Sequence, residues 1–257
     1  MTSNFKLILT DLDNTFLRSN KAISQFSLDV INECKQKGVI FGVATARSER
    51  TAEKYLNIIK PDLIISNGGA LAKYKGKIIF ESMLPVELSN NFIKDCLTDK
   101  NIGEITVETR DFYFRNNKKR IEAERDYLNA TFNDYSKPLN KETYKITCEV
   151  YKPESAQKLL KKYPLCCYTP YRGELWGRFA HKDSNKIDAI KAVAQHFNIK
   201  KEQVICFGDD TNDIGMIDYF YGVAVSNAIA EVKQVAKKVI GSNDEDAVAK
   251  YIKNNIL

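Results

Sequence analysis

Two aspartates one residue apart, Asp11 and Asp13, follow the apolar run Phe5–Thr10 and precede Asn14 and Thr15. Carboxylates held that close repel each other, so a cation or a shared proton is expected with them. Far along the chain, Gly208-Asp209-Asp210-Thr211-Asn212-Asp213 packs three more acids into one short segment. Aspartates at that density offer the hard oxygen ligands that Mg²⁺ takes. Between these groups come Thr45-Ala46-Arg47, after a second apolar run, and Lys186, in the first turn of a helical pattern. Singly, each has a plainer reading. Asp11 or Asp13 forms turns, Thr45 and Thr211 cap helices, and Lys186 is a solvated lysine. Together they are acids, a hydroxyl, a lysine and acids again, each at a strand end or helix start, and that joint pattern points to a site.

The elements that must position them alternate strand and helix. Phe5–Thr10, Val39–Ala44 and Leu63–Ile65 read as buried strands. Ser24 caps a helix with Phe26, Val30, Ile31 and Cys34 on one face, and Gly38 ends it. Ser48 caps a second helix carrying Ala52, Tyr55, Leu56 and Ile59, which Pro61 stops. The last third repeats the scheme. A helix capped by Asp183 or Ser184 carries Ile187, Ile190, Val193, Ala194 and Phe197. Strands at Val204–Phe207 and Gly222–Val225 follow, with helices through Met216, Ile217 and Phe220 and through Val232 and Ala236. A final helix with Val248, Tyr251 and Ile252 is capped by Asp244. Such alternation implies a parallel sheet with right-handed crossovers, whose strand carboxyl ends open on one ligand-binding edge.

From Met83 to Phe179 the pattern changes. Ile105–Thr109 and Asp111–Arg115 alternate at period two, as antiparallel strands with one wet face do. Helical patterns cover Val86–Leu97, Arg120–Thr131 and Glu154–Lys162. The expected fold class is α/β, residues 1–82 and 180–257 forming the core and 83–179 an inserted α+β module.

Composition narrows the function. The 257 residues carry 39 basic and 33 acidic side chains, a net charge of +6, which suits an anionic substrate. The basic residues are spread along the chain with no stripe interleaved with aromatics, which argues against nucleic acid. Six cysteines without a C-x-x-C pair, and two histidines, argue against a zinc site. Neither a secretory leader nor an apolar run long enough to span a bilayer is seen. A cytoplasmic protein with reduced thiols is expected, with no membrane partner, as a monomer or weak homodimer.

The motifs resemble those of the haloacid dehalogenase (HAD)-like hydrolases, in particular the Cof type with an inserted α+β cap (type IIB). Asp11-Leu-Asp-Asn-Thr-Phe-Leu is similar to D-x-D-G-T-L-L, and Ala44-Thr-Ala-Arg to A-T-G-R. Lys186-Ile-Asp-Ala-Ile is similar to K-G-x-A-L, and Gly208-Asp-Asp-Thr-Asn-Asp-Ile-Gly-Met to G-D-x-x-N-D-x-x-M. Val223-Ala-Val-Ser-Asn-Ala and Ser242-Asn-Asp-Glu-Asp-Ala-Val resemble the family's V-A-M-G-N-A and S-N-x-x-D-G-V endings. The first and fourth motifs are specific together; the second and third are weak alone. Asn14, Ala46, Ile187 and Ser226 stand where the family has glycine. Asn tolerates left-handed backbone, so the turn at Asn14 is expected to survive.

The resemblance implies a Rossmann-like core and a phosphatase acting on small phosphorylated metabolites, sugar phosphates first. Asp11 would be the nucleophile forming an aspartyl-phosphate, and Asp13 the general acid and base. For that role Asp13 is expected to titrate above a free aspartate, raised by neighbouring carboxylates. Asp11, Asp13 (through its carbonyl), Asp209 and Asp213 would hold Mg²⁺, and Thr45, Lys186 and Asn212 would hold the phosphate. The inserted module would be a lid, with Arg110, Arg115, Arg172, Arg178 and Trp176 as candidate contacts that surface or core roles explain equally well. Arg47 would face substrate or cap its own helix, and Ser66-Asn67-Gly68 would lie at the site edge or serve only as a turn. The rivals are a phosphotransferase of the phosphomannomutase type and a regulator that binds phosphometabolites without turnover.

Overall fold

The computed structural model describes residues 4–124 and 129–257. The chain forms two compact units, Met1–Glu81 with Asn185–Leu257, and Ser82–Ser184. The first unit opens with β1 (Leu7–Thr10), α1 (Gln25–Gln36), β2 (Ile40–Ala44), α2 (Glu49–Ile59), β3 (Leu63–Ser66), β4 (Leu71–Tyr74) and β5 (Lys77–Glu81). Ser24 caps α1 by accepting the Ser27 N–H, and Ser48 caps α2 by accepting the Thr51 N–H. Both satisfy donors that a helix start leaves open.

The inserted unit contains α3 (Val86–Thr98), β6 (Ile102–Glu108), β7 (Tyr113–Arg115), α4 (Lys118–Ala123), β8 (Thr131–Phe132), β9 (Lys145–Val150), α5 (Pro153–Lys162), β10 (Cys166–Pro170) and β11 (Trp176–His181). Its sheet runs β10-β11-β9-β6-β7-β8, antiparallel except between β7 and β8. Ile105, Val107, Ile146, Cys148 and Phe179 face a core shared with Phe92, Ile93 and Cys96 of α3. The opposite face is polar at Thr106, Thr147 and Arg178, but these residues are buried rather than wet.

The chain then completes the first unit with α6 (Lys186–His196), β12 (Val204–Gly208), α7 (Ile214–Tyr219), β13 (Tyr221–Ala224), α8 (Ala230–Val235), β14 (Lys238–Val239) and α9 (Ala247–Asn255). The sheet order is β14-β13-β12-β1-β2-β3-β4-β5. Strands β14 to β3 are parallel, and Leu7, Ile8, Leu9, Ile205 and Phe207 are fully buried, as a sheet covered on both faces demands.

Five expectations are corrected. The core sheet is not wholly parallel, because β4 and β5 add an antiparallel edge. Their two-residue turn uses Lys75 and Gly76 at φ 46° and 81°, the left-handed pair that hairpin twist requires. The inserted unit does not end at Phe179, because β11 runs on to His181, which pairs with Cys166. Asn185, rather than Asp183 or Ser184, caps α6 by accepting the Asp188 N–H. Asp244 does not cap α9; Ser242 caps the short turn before it, and Asp244 accepts the Ser19 N–H and hydroxyl instead. The helix expected over Arg120–Thr131 stops at Ala123, and its stretch 125–128 lies outside the described residues.

Candidate active site

Adjacent strands deliver the acids. β1 pairs with β12, so Asp11 and Asp209 leave neighbouring strand ends, and the Asp11 N–H donates to the Phe207 carbonyl at 2.9 Å. Thr45 follows β2 on the other side of β1, its hydroxyl accepting the Arg47 N–H at 3.1 Å. Lys186 enters from the first residue of α6 and is 3% exposed. Its ammonium donates to Asp11 Oδ1 at 2.7 Å and to Asp213 Oδ1 at 2.6 Å.

Asp11, Asp209 and Asp213 each place one carboxylate oxygen within 4.8 Å of the others. One ammonium, paired with Asp11 and Asp213, faces three buried carboxylates, so with all acids ionised the cluster carries a net charge near −2. That charge is expensive in a dry site unless a cation joins it. The acids register the cost. Burial pushes Asp11 well above its ordinary value, with Asp213 and Asp209 adding to the rise and Lys186 opposing it. Burial also drives Asp209 up to about 7, helped by Asp213 and Asp210 and opposed by the Thr15 hydroxyl, which donates to it at 2.5 Å. A divalent, oxygen-seeking ion fits this donor set.

Asp213 does more than face the cluster. Its Oδ2 accepts the N–H groups of Asp209 and Asp210 at 3.0 and 3.2 Å, so it ties the acidic loop to Lys186. Gly208 permits this, because a Cβ there would lie 2.5 Å from Asp213 Cβ. Asn212 lies half-buried in the same turn. Ile187 is accommodated where the family pattern has glycine because Gly215 faces it; a Cβ on Gly215 would lie 2.3 Å from the Ile187 side chain.

The Asp13 carboxylate lies apart from the cluster of three. Arg47 donates to both its oxygens, Nε to Oδ2 at 2.6 Å and Nη2 to Oδ1 at 2.8 Å, and Lys21 donates to Oδ1 at 2.8 Å. Partial burial favours its neutral form, but the hydrogen bonds and charge of Arg47 and Lys21 outweigh burial and bring it to about 2. The expected rise above a free aspartate is therefore wrong for this conformation: two cations, not the neighbouring carboxylates, set its environment. Arg47 neither caps α2 nor stands free; it also lies over the Tyr55 ring, 5.4 Å from the centroid.

The turn carrying Asp13 and Thr15 is held from behind. Asn14 adopts φ 58°, the left-handed conformation that Asn accepts at low cost. Its carbonyl accepts Asn227 Nδ2 at 2.7 Å, Asn227 Oδ1 accepts the Asn243 N–H at 3.0 Å, and Asn243 Nδ2 donates to the Leu17 carbonyl at 2.9 Å. Sequence reasoning gave Lys21, Asn227 and Asn243 no role. Asn227 and Asn243 stand in the two late motifs, which was the available signal; Lys21 gives none.

Two candidates in the inserted unit prove structural. Arg115 is buried and ion-paired with Glu104 and with Glu124 at 2.6 Å. Arg178 is buried and donates to the Ser184 carbonyl. Trp176 is half-buried with Arg120 over its ring, and Arg172 is exposed.

A family model for haloacid dehalogenase-like hydrolases matches residues 8–252. The chain belongs to that family. This hydrolase is 24% identical over 266 residues to the 5-amino-6-(5-phospho-D-ribitylamino)uracil phosphatase YitU of Bacillus subtilis, covering 96% of each chain. It is 25% identical over 279 residues to the phosphatase YwtE of the same organism, whose name gives the same substrate, again covering 96% of each. Among solved structures, the HAD subclass IIB sugar phosphatase BT4131 superposes with a TM-score of 0.82 at 23% identity, over 98% of this chain and 100% of that one. A haloacid dehalogenase-like hydrolase from B. subtilis superposes with a TM-score of 0.83 at 20% identity, over 98% and 100%. The fold is thus the α/β HAD fold. No helix among the described residues is long and apolar enough to cross a membrane.

Proposed function

We propose that this hydrolase is a Mg²⁺-dependent phosphatase of small phosphorylated metabolites, acting through a phosphate ester on Asp11. The enzyme class is supported by family membership and by the names of the relatives. The observation that carries the chemistry is the Lys186 ammonium lodged between Asp11 and Asp213, with Asp209 in the same cluster. The substrate class follows the relatives' names, sugar phosphates and the ribitylaminouracil phosphate among them. Substrate choice is assigned to the inserted unit, as the resemblance implies.

Asp11, Asp209, Asp213 and the Asp13 carbonyl would hold the ion. Bound there, Mg²⁺ supplies charge neutralisation between Asp11 and a phosphate dianion. Lys186 and Thr45 bind non-bridging oxygens, with Asn212 beside them, and so orient phosphorus for in-line attack. Asp11 forms a new P–O bond while the ester P–O bond breaks, its electron pair leaving on the alkoxide. Asp13 gives that oxygen a proton. It then takes one from the attacking water, which displaces Asp11 and releases phosphate. Because Arg47 and Lys21 hold Asp13 ionised in the substrate-free conformation, proton donation requires their grip to loosen when substrate enters.

Asp11→Asn tests the reading. It is nearly isosteric, and it should abolish Mg²⁺-dependent hydrolysis of p-nitrophenyl phosphate while leaving the circular dichroism spectrum unchanged. Turnover within tenfold of the unaltered protein, or equal turnover in EDTA, sinks it. A panel of phosphorylated metabolites then ranks substrates.

A further inference from the structure

The turn Ser66–Gly69 has a backbone and a burial that a plain reversal does not need. Asn67, Gly68 and Gly69 all adopt left-handed φ, at 54°, 69° and 102°. Ser66 and Asn67 are buried, and Ser66 Oγ and Asn67 Oδ1 are buried without a hydrogen-bond partner. The left-handed φ of Asn67 and the two unpartnered buried oxygens each cost free energy, and such features persist where the surroundings enforce them.

The contacts on its two sides show what enforces it. On one side, the Asn67 N–H donates to the Arg47 carbonyl at 2.8 Å and the Gly68 N–H donates to the Thr45 carbonyl at 2.9 Å. On the other, Gly69 lies against the peptide that opens α6. A Cβ on Gly69 would lie 2.1 Å from the Asn185 carbonyl carbon, 2.2 Å from its oxygen and 2.5 Å from the Lys186 nitrogen. These are main-chain atoms, which cannot swing aside as a side chain can. The turn is therefore wedged between the segment carrying Thr45 and the residue carrying the ammonium.

We propose that the Ser66–Gly69 turn is a positioning element that sets the separation of Thr45 and Lys186, and hence the size of the phosphoryl cradle between them. Gly69 is its critical residue, because only a missing Cβ lets the two segments approach. This rests on the reading of Thr45 and Lys186 as phosphate-binding groups. Mispositioning by an ångström at such a site costs on the order of 10²-fold in rate.

The test is Gly69→Ala, read by isothermal titration of inorganic phosphate in the presence of Mg²⁺ and, in parallel, by p-nitrophenyl phosphate kinetics. Gly76→Ala is the control. Gly76 also has a left-handed φ, 81°, but a Cβ there meets nothing within 4 Å, so it carries the conformational strain without the contact. Gly69→Ala should weaken phosphate binding and raise KM at least tenfold, while Gly76→Ala stays within twofold. A merely structural role would lower the folded fraction, reducing apparent kcat while leaving the Kd and KM of the surviving sites unmoved. A folded Gly69→Ala protein with unchanged phosphate affinity overturns the proposal. If Gly69→Ala does not fold, Asn67→Val decides, since a β-branched residue resists the left-handed φ. A threefold or greater loss of phosphate affinity supports the proposal, and a smaller change overturns it. Phosphate binding needs no turnover, so a protein that binds phosphate but hydrolyses nothing rejects the phosphatase reading and still tests the turn. An unaltered protein that binds no phosphate overturns both.

Discussion

Removing Mg²⁺ should make this protein's stability depend on pH in a direction opposite to ordinary acid denaturation. The reason is Asp209, which moves from about 3.8 in the unfolded chain to about 7 in the fold. A carboxyl raised in the fold binds its proton more tightly there than in the unfolded chain, so acidification through that window favours the folded state. Above pH 7 both forms are ionised and the penalty is constant, at about 4 kcal/mol from a 1.4 kcal/mol cost per pH unit. At pH 5.5 the folded group is mostly protonated and the penalty falls to about 2 kcal/mol. The metal-free protein should therefore gain about 2 kcal/mol between pH 8 and pH 5.5. For a chain of this length that is about 4–8 °C in melting temperature. Asp11, also raised by burial, contributes with the same sign.

Asp13 does not mask the effect. Its folded value of about 2 lies below the unfolded one, so its contribution is complete above about pH 4 and is lost only as pH falls through 2. The assay is thermal unfolding in EDTA and in millimolar Mg²⁺ at both pH values, repeated on Asp209→Asn. Mg²⁺ replaces the missing positive charge and should raise the melting temperature more at pH 8 than at pH 5.5, flattening the pH dependence. Asp209→Asn should flatten it without metal. If the EDTA-treated protein is less stable at pH 5.5 than at pH 8, or if Asp209→Asn leaves the profile unchanged, the electrostatic account of the cluster is wrong.

Three further outcomes follow from the same geometry. Lys186→Met keeps the stem but deletes the ammonium bridging Asp11 and Asp213, and should lower kcat by about 10²-fold or more, measured with saturating Mg²⁺. Arg47→Gln removes the two-pronged grip on Asp13; carboxyl-carbon NMR should find Asp13 titrating near 2 in the unaltered protein and closer to an ordinary aspartate in the variant. Phe92→Ala opens a cavity where Phe92 packs on Tyr163 and Phe179, and should destabilise the inserted unit by about 3–5 kcal/mol, read by urea unfolding.

The sequence was most informative where physics is local. Caps such as Ser24 and Ser48 and the stop after Ile59 depend on neighbours a few residues away, and the structure has them where the pattern puts them; the buried run read over Phe5–Thr10 forms a strand from Leu7 to Thr10. Strands β4 and β5 are not legible in the sequence because their turn, Lys75-Gly76, lacks the Asn or Asp that usually announces a left-handed pair. The parallel topology was enough to bring Asp11, Lys186, Asp209 and Asp213 together, since strand carboxyl ends share one edge. It could not say which cation each acid would meet.

Asp13 shows why that distinction matters. Two residues from Asp11, it is expected from the sequence to titrate above a free aspartate because of the neighbouring carboxylates. An extended chain, however, sends side chains two residues apart onto the same side only while it stays regular. Here the strand ends at Thr10, and the chain leaves extended geometry at Leu12, where the turn Leu12–Phe16 begins. Asp13 is thereby turned towards Arg47 and Lys21 while Asp11 stays with Lys186. The two carboxylates end in opposite electrostatic environments, one raised by burial and one lowered by two cations. A nucleophile must be ionised when phosphate arrives, and a general acid must carry a proton. In the substrate-free fold burial favours a neutral Asp11, while Arg47 and Lys21 favour an ionised Asp13, so each group is biased against its proposed role. Mg²⁺ at Asp11 would correct the first, and withdrawal of Arg47 or Lys21 from Asp13 would correct the second. Catalytic competence on this reading is assembled by metal and substrate together, rather than stored in the resting protein.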